Sequence, residues 1–227
     1  MTITANRLAS TAGICAAAAG ALFAGVQIGH PPVDVEHIGT TEMTLRETAK
    51  IVMCVLALIG FTGMFLRHRN ALGVLGLAGF PLLTVGFLAM FANQCIVALV
   101  LPTVAATDPG YVQAYIDGAM GQSSGRDLGH LDALFLASGI GFSIGGLLFG
   151  IALLRARVLA RWAAALLAVG TTSVLALSAL PASFDRPFAV PTAVALIGLG
   201  ISLWRDGRRS ETAVAPAMPL VAEPATR

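Results

Sequence analysis

The sequence predicts an all-α protein: a polytopic membrane helix bundle of six transmembrane helices with the N- and C-termini inside. Three observations carry that expectation. Of 227 residues, 56% are hydrophobic and 11% charged, with a mean hydropathy of +0.82, where a soluble domain carries roughly a quarter charged residues. The apolar residues come in six long blocks rather than amphipathic periods, so lipid is the expected solvent. Basic residues gather at alternate connections, as expected of a multi-pass protein obeying the positive-inside rule.

The first block runs from about Leu8 to Ile28 behind Arg7. A cleaved signal peptide has the same pattern, with Arg7 as its basic lead; a lipoprotein signal does not fit, because Ile14 precedes Cys15. The segment 30–49 is polar and acidic, carrying His30, Asp34, Glu36, His37, Glu42 and Glu47. Thr44-Leu-Arg-Glu47 fits a capping box ahead of the second block, Lys50 to Leu66, which would occupy Glu47 at a helix start. Arg67-His68-Arg69-Asn70 is a basic turn. The third block, Ala71 to about Leu101, contains Pro81 and Asn93-Gln94 and is longer than one crossing needs. Its last turns are expected in the outer interface or re-entering the bundle.

In the long connection 102–129, Asp108-Pro109 reads as an N-cap and first helical position. Tyr111, Val112, Tyr115, Ile116, Ala119 and Met120 then recur at helical spacing. A short helix on the membrane surface, able to act as a lid, follows. The fourth block, Leu131 to Leu154, puts Asp132, Gly139, Ser143, Gly146 and Gly150 on one stripe, with Ser138, Gly141 and Gly145 roughly opposite. Small residues on both faces suit an element with two close neighbours. Trp162 opens the fifth block, which ends near Leu180; Pro181–Pro187 is a short loop holding Asp185 and Arg186. The sixth block, Phe188 to Trp204, leads into Arg205–Arg209. One membrane domain, 1–209, and a disordered cytoplasmic tail, 210–227, complete the expectation.

With the N-terminus inside, Arg7, Arg67, Arg69, Arg155, Arg157, Arg161, Arg205, Arg208, Arg209 and Arg227 fall on the inner side. Trp162 and Trp204 fall at the inner interface, as an aromatic belt would place them. That orientation places the chain in the cell's plasma (inner) membrane as a multi-pass protein. The outer side collects most of the acids and His30, His37 and His130. This asymmetry is the main functional signal.

Several chemistries are excluded. There is no phosphate-binding loop, dinucleotide fingerprint, paired-aspartate motif for magnesium diphosphate, or mid-membrane histidine for haem. The outer histidines and acids match no compact metal site. Nothing basic beyond the topology signals suggests nucleic acid. Cys15, Cys54 and Cys95 lie in apolar blocks without a Cys-x-x-Cys, so they read as small hydrophobes. Gly121-Gln-Ser-Ser-Gly125 matches the nucleophile-elbow pattern, but the strand that elbow needs is absent from the pattern around it.

The stretch from Gly141, GFSIGGLLFGIALLRARVLARWAAALLAVG, preceded by His130 and followed by Arg-rich turns, resembles a bacterial family of uncharacterised six-helix integral membrane proteins over residues 8–205. That resemblance implies the topology and no activity. A looser likeness, in size, helical character and clustered acids, is to the small integral-membrane terpene cyclases. It implies a cofactor-free, proton-initiated cyclisation of a prenyl chain dissolved in the lipid bilayer. Such a reaction needs a protonated acid in a low-dielectric setting and a group to take the proton back. Asp132 is the candidate acid, with Glu36 or Glu47 as second carboxylate. His130, Asn93, Gln94, Tyr111 and Tyr115 would bind a hydrophobic prenylated small molecule. Asp132 also suits a plain helix-start acid favoured by the helix dipole, and Asn93 and Gln94 suit interhelical hydrogen bonding. The rival expectation is a non-catalytic membrane protein, an accessory subunit or small transporter.

Overall fold

The computed structural model describes residues 4–177 and 189–214. Among them there is no strand. The chain runs through α1 (Ala5–Gln27), α2 (Thr41–Cys95), α3 (Leu101–Ala105), α4 (Pro109–Ala119), α5 (Leu131–Ile140), α6 (Gly146–Ala156), α7 (Arg161–Leu177) and α8 (Ala189–Val214). Two π turns, Ile96–Val100 and Gly141–Gly145, join α2 to α3 and α5 to α6 without a break. Among the described residues three helices are long and apolar enough to cross a membrane: Ala5–Gln27, Thr41–Ala105 and Leu131–Ala156.

The second of these is not a single rod. Gly73 sits at φ 59° and ψ −158°, a region essentially closed to residues with a Cβ. The chain reverses there. Phe65 stacks on Phe80 with ring centroids 4.4 Å apart, and Phe61 meets Phe87 edge-on at 5.2 Å. A straight helix would hold Phe61 and Phe87 about 39 Å apart. Thr41–Leu72 and Val74–Cys95 are therefore two antiparallel limbs, with Arg67–Asn70 beside the bend.

Close glycine and alanine contacts set the rest of the order. Gly60 lies on Ala16, Gly63 on Ala12, Gly79 on Phe149, and Gly86 on Phe142. Gly150 lies on Ala168, Gly198 on Trp162, and Gly200 on Ala17. Rising numbers in one helix meet falling numbers in the next, so neighbours are antiparallel and α8 closes the ring on α1. The two small-residue faces expected of the fourth block are both used. Gly141 and Gly145 face the second limb of α2, and Gly146 and Gly150 face α7. Phe61, Phe87 and Phe149 pack edge-on in the middle. α1 buries Ala9, Ala12, Gly13, Ala16, Ala19 and Gly20 along its length, making it a wall of the bundle.

One end of the ring is tied by Arg67, which donates to Asp206 Oδ2 at 2.9 Å, Asn6 Oδ1 at 2.8 Å and Ser210 Oγ at 2.7 Å. It thereby joins the α2 bend, the start of α1 and the end of α8. At the other end Arg46 donates to the carbonyls of Val26, Ile28 and Gly29, closing the C-terminus of α1. There the chain also builds a small second core: Ile38, Val97, Leu101, Val112, Tyr115 and Ile116. The late turns of the third block pack in this cap.

Two boundaries differ from the sequence expectation. α2 begins at Thr41, with Thr40 as N-cap accepting from the Met43 amide at 3.3 Å. The capping box is not formed, because Thr44 lies inside the helix with its hydroxyl donating to the Thr40 carbonyl. α8 continues to Val214, so Ser210–Val214 are helical where a tail was expected. The Pro181–Pro187 loop and the tail beyond Val214 lie outside the described residues.

Two glycines test this packing. Gly86→Ala would drive a Cβ into the Phe142 backbone nitrogen, and overpacking of this kind costs about 1–3 kcal/mol. Gly73→Ala meets no atom within 4 Å, and its cost of about 1–3 kcal/mol is backbone strain alone. Both should lower the thermal midpoint of detergent-purified protein, while Gly39→Ala, open on all sides at negative φ, should not.

Candidate functional site

The early start of α2 places Glu47 in the second helical turn, facing inward, where it is 2% exposed. Lys50, one turn on, donates to Glu47 Oε1 at 2.6 Å. His30, delivered by the α1–α2 connection, brings Nε2 to 3.5 Å from the same oxygen, and both side chains are almost fully buried. Glu47 Oε2 and His30 Nε2 have no hydrogen-bond partner.

The protons in this group follow from its geometry. His30 Nδ1 lies 2.8 Å from the Pro31 carbonyl oxygen, so Nδ1 carries hydrogen and donates. Were His30 neutral and Glu47 ionised, the Nε2 lone pair would face a charged oxygen inside the protein, which is repulsive. The stable alternatives are an imidazolium beside a carboxylate or a neutral imidazole beside a carboxylic acid. Glu47 Oε2, buried and unpartnered, is the carboxyl oxygen this arrangement leaves open. This is acid–base equipment.

α4 lies beside the cluster, with Tyr115 near enough to Glu47 to feel its charge. Its N-cap, Asp108, accepts from the Tyr111 amide at 2.9 Å with Pro109 in the first turn, as the sequence indicates. The buried Tyr115 donates its hydroxyl to Asn93 Oδ1 and packs edge-on against Phe135. Burial, reinforced by Tyr111 and by the nearby Glu47 charge, pushes the Tyr115 phenol above its ordinary value. It therefore stays a neutral donor. Cys54, one turn below Lys50, faces Cys95 across the hairpin; both are free thiols.

The remaining candidates lie apart. Asp132, His130 and Glu36 are exposed, and none of their side chains has a hydrogen-bond or ionic partner among the described residues. Asp132 stands in the first turn of α5, the helix-start position. Gln94 is half-buried and likewise unpartnered, and Tyr111 lies under the Arg126 guanidinium at 5.3 Å. Thus the structure gathers Glu47, Asn93 and Tyr115 and adds His30 and Lys50. The Glu47/Lys50 spacing was a readable signal; the approach of His30 across a loop was not. Among the described residues no three His, Cys, Asp or Glu side chains converge as metal ligands would. Gly121–Gly125 is an exposed loop in which Ser124 Oγ bonds the Arg126 carbonyl. Comparisons with protein-family models, curated proteins and solved structures return no match for the chain.

An ion pair fastens α4. Arg126 donates to Asp108 Oδ1 at 3.0 Å and Oδ2 at 2.8 Å, bringing the 120–129 loop onto the start of α4. The hydrogen bond from Arg126, aided by the Tyr111 amide, holds the Asp108 carboxyl below its ordinary value of 3.8. Because the folded carboxyl titrates below the unfolded one, the latch is fully present above pH 3.8 and is lost as pH falls through the lower folded value. Protection of the α4 amides, taken against their intrinsic exchange rates at each pH, should fall on acidification through that window. Asp108→Asn, which keeps a capping side chain but removes the ion pair, should show the lower protection already at neutral pH.

Proposed function

We propose that the protein is a membrane-embedded acid–base catalyst of the terpene-cyclase kind, using the His30–Glu47 pair beside α4 on a prenyl chain dissolved in the bilayer. The observation that carries this reading is the buried approach of His30 Nε2 to Glu47 Oε1 at 3.5 Å, with Glu47 Oε2 unpartnered beside it. In the proposed reaction the pair protonates an alkene or epoxide of the substrate. A carbon–carbon bond closes on the resulting cation, and the freed carboxylate takes a proton back from a neighbouring carbon. Atoms balance without a cofactor. Lys50 engages one oxygen of Glu47 and leaves the other for the substrate. Tyr115 and Phe135 offer aromatic faces to a carbocation, and Asn93 fixes the Tyr115 hydroxyl. α4 would lift to admit the substrate and close to exclude water. In this reading Glu47 replaces Asp132 as the principal acid, because a buried group with a proton partner suits the chemistry and an exposed one does not.

The same proposal includes six crossings of the plasma membrane with both termini inside. The hairpin at Gly73, the antiparallel order and the shared end for Asn6, Arg67 and Asp206 support it. A cytoplasm-dependent fluorescent reporter fused after Arg209 should be active, and the same reporter inserted at Gly121 should be dark. The opposite pattern would overturn the orientation.

A second reading, an accessory subunit, draws on an open cleft of about 720 Å³ between α1 and α2, lined by Leu22, Val26 and Leu45 among others. There the outer acids would be dispensable. Expression with farnesylated and geranylgeranylated aromatic substrates, followed by product analysis, separates the two. Glu47→Gln and His30→Gln should each lose about 100-fold or more in turnover, the ordinary scale for an acid–base group. Asp132→Asn and Glu36→Gln should stay close to the parent. Absence of any isoprenoid turnover, or full activity in both Glu47→Gln and His30→Gln, would sink the catalytic proposal.

A further inference from the structure

We propose that the cleft between α7 and α8, at the end bearing the start of α1 and the end of α8, is a binding site for one anionic phospholipid. An acyl chain lies in the cleft and the phosphate sits on Arg205 and Arg209. The cleft measures about 500 Å³, within the range of sites that take a single small ligand. Its α8 wall is a stripe at helical spacing, Val194, Ile197, Ile201, then Arg205 and Arg209. That stripe passes from apolar to cationic along the helix, which is the profile of a lipid lying parallel to it. The facing wall is Trp162, 58% exposed, whose ring packs against Gly198. A side chain at that glycine would push the indole off the wall.

The two arginines are singled out by their freedom. Arg67 is engaged by Asp206, Asn6 and Ser210, and Arg208 lies over Trp204 at 5.5 Å. Arg205 and Arg209 are exposed and have no acceptor among the described residues. Asp206 also borders the cleft, but its carboxylate is neutralised by Arg67, so it does not repel an anion. Unpaired cations at the mouth of an apolar interhelical cleft are how anionic headgroups are recognised in membranes. Free phosphate would gain nothing from the cleft, and a zwitterionic lipid would bring its ammonium against the arginines.

The test uses the full chain in uncharged detergent with Trp204→Phe, so that Trp162 is the fluorophore. Phosphatidylglycerol brominated on its acyl chains should quench Trp162 saturably, and brominated phosphatidylcholine should quench it far less. Arg205→Gln with Arg209→Gln should raise the half-saturating phosphatidylglycerol concentration about thirtyfold, as two surface charges each worth roughly fivefold predict. Val194→Phe, which fills the cleft and keeps both arginines, should reduce quenching independently. Excess inorganic phosphate should not displace the lipid. Equal quenching by the two lipids, indifference to the double arginine change, or displacement by phosphate would each overturn the proposal.

Discussion

Close backbone contact between helices is the constraint on which this structure depends. In lipid, apolar side chains gain little by leaving their surroundings for one another, so helices associate through dispersion, and dispersion demands short distances. Gly86 on Phe142, Gly145 on Leu83 and Gly200 on Ala17 are contacts of main chain with main chain. They are possible because no Cβ intervenes. The abundance of glycine and alanine is thus the packing code of the ring.

Tight packing through small residues leaves little room for polar groups inside, and the polar work falls to the two ends. There it differs in kind. Arg67 satisfies three acceptors on two other elements, α1 and α8, and is itself satisfied, so it acts as a tie. The His30–Glu47–Lys50 group is incomplete: two of its buried polar atoms have no partner. A buried charge left partly unpaired is destabilising, and well-packed apolar residues commonly serve structure at least as well. The expense of that group is an argument that it is there for acid–base work.

The architecture was legible in sequence because its signals are long. Blocks of apolar residues, basic turns between them and glycines on two faces of the fourth block all have counterparts in the structure. The site was less so, for two local reasons. Thr44 and Glu47 match a capping box, yet Thr40 also offers a capping hydroxyl; the earlier start won, which moved Glu47 from a helix end to the interior. Asp132 drew attention as the one acid in an apolar block, but its rotation about the helix depends on packing that no single stretch encodes. His30 reaches Glu47 only through the path of the 28–40 connection, and periodicity says nothing about such a path.

The π turns explain how one limb serves both the cap and the site. In an α-helix, four residues turn about 40° beyond a full circle, so residues spaced by four drift around the rod. Across Ile96–Val100 the helix is underwound, and the drift is largely removed. Asn93, Val97 and Leu101 then share one side: Asn93 receives the Tyr115 hydroxyl while Val97 and Leu101 join the cap that holds α4. The Gly141–Gly145 turn does the same for Gly141 and Gly145 against the second limb of α2, freeing Gly146 and Gly150 for α7. A regular α-helix would spread Asn93, Val97 and Leu101 over about 80°, and the underwound turn narrows that arc so that the tyrosine's acceptor and the cap residues fall together.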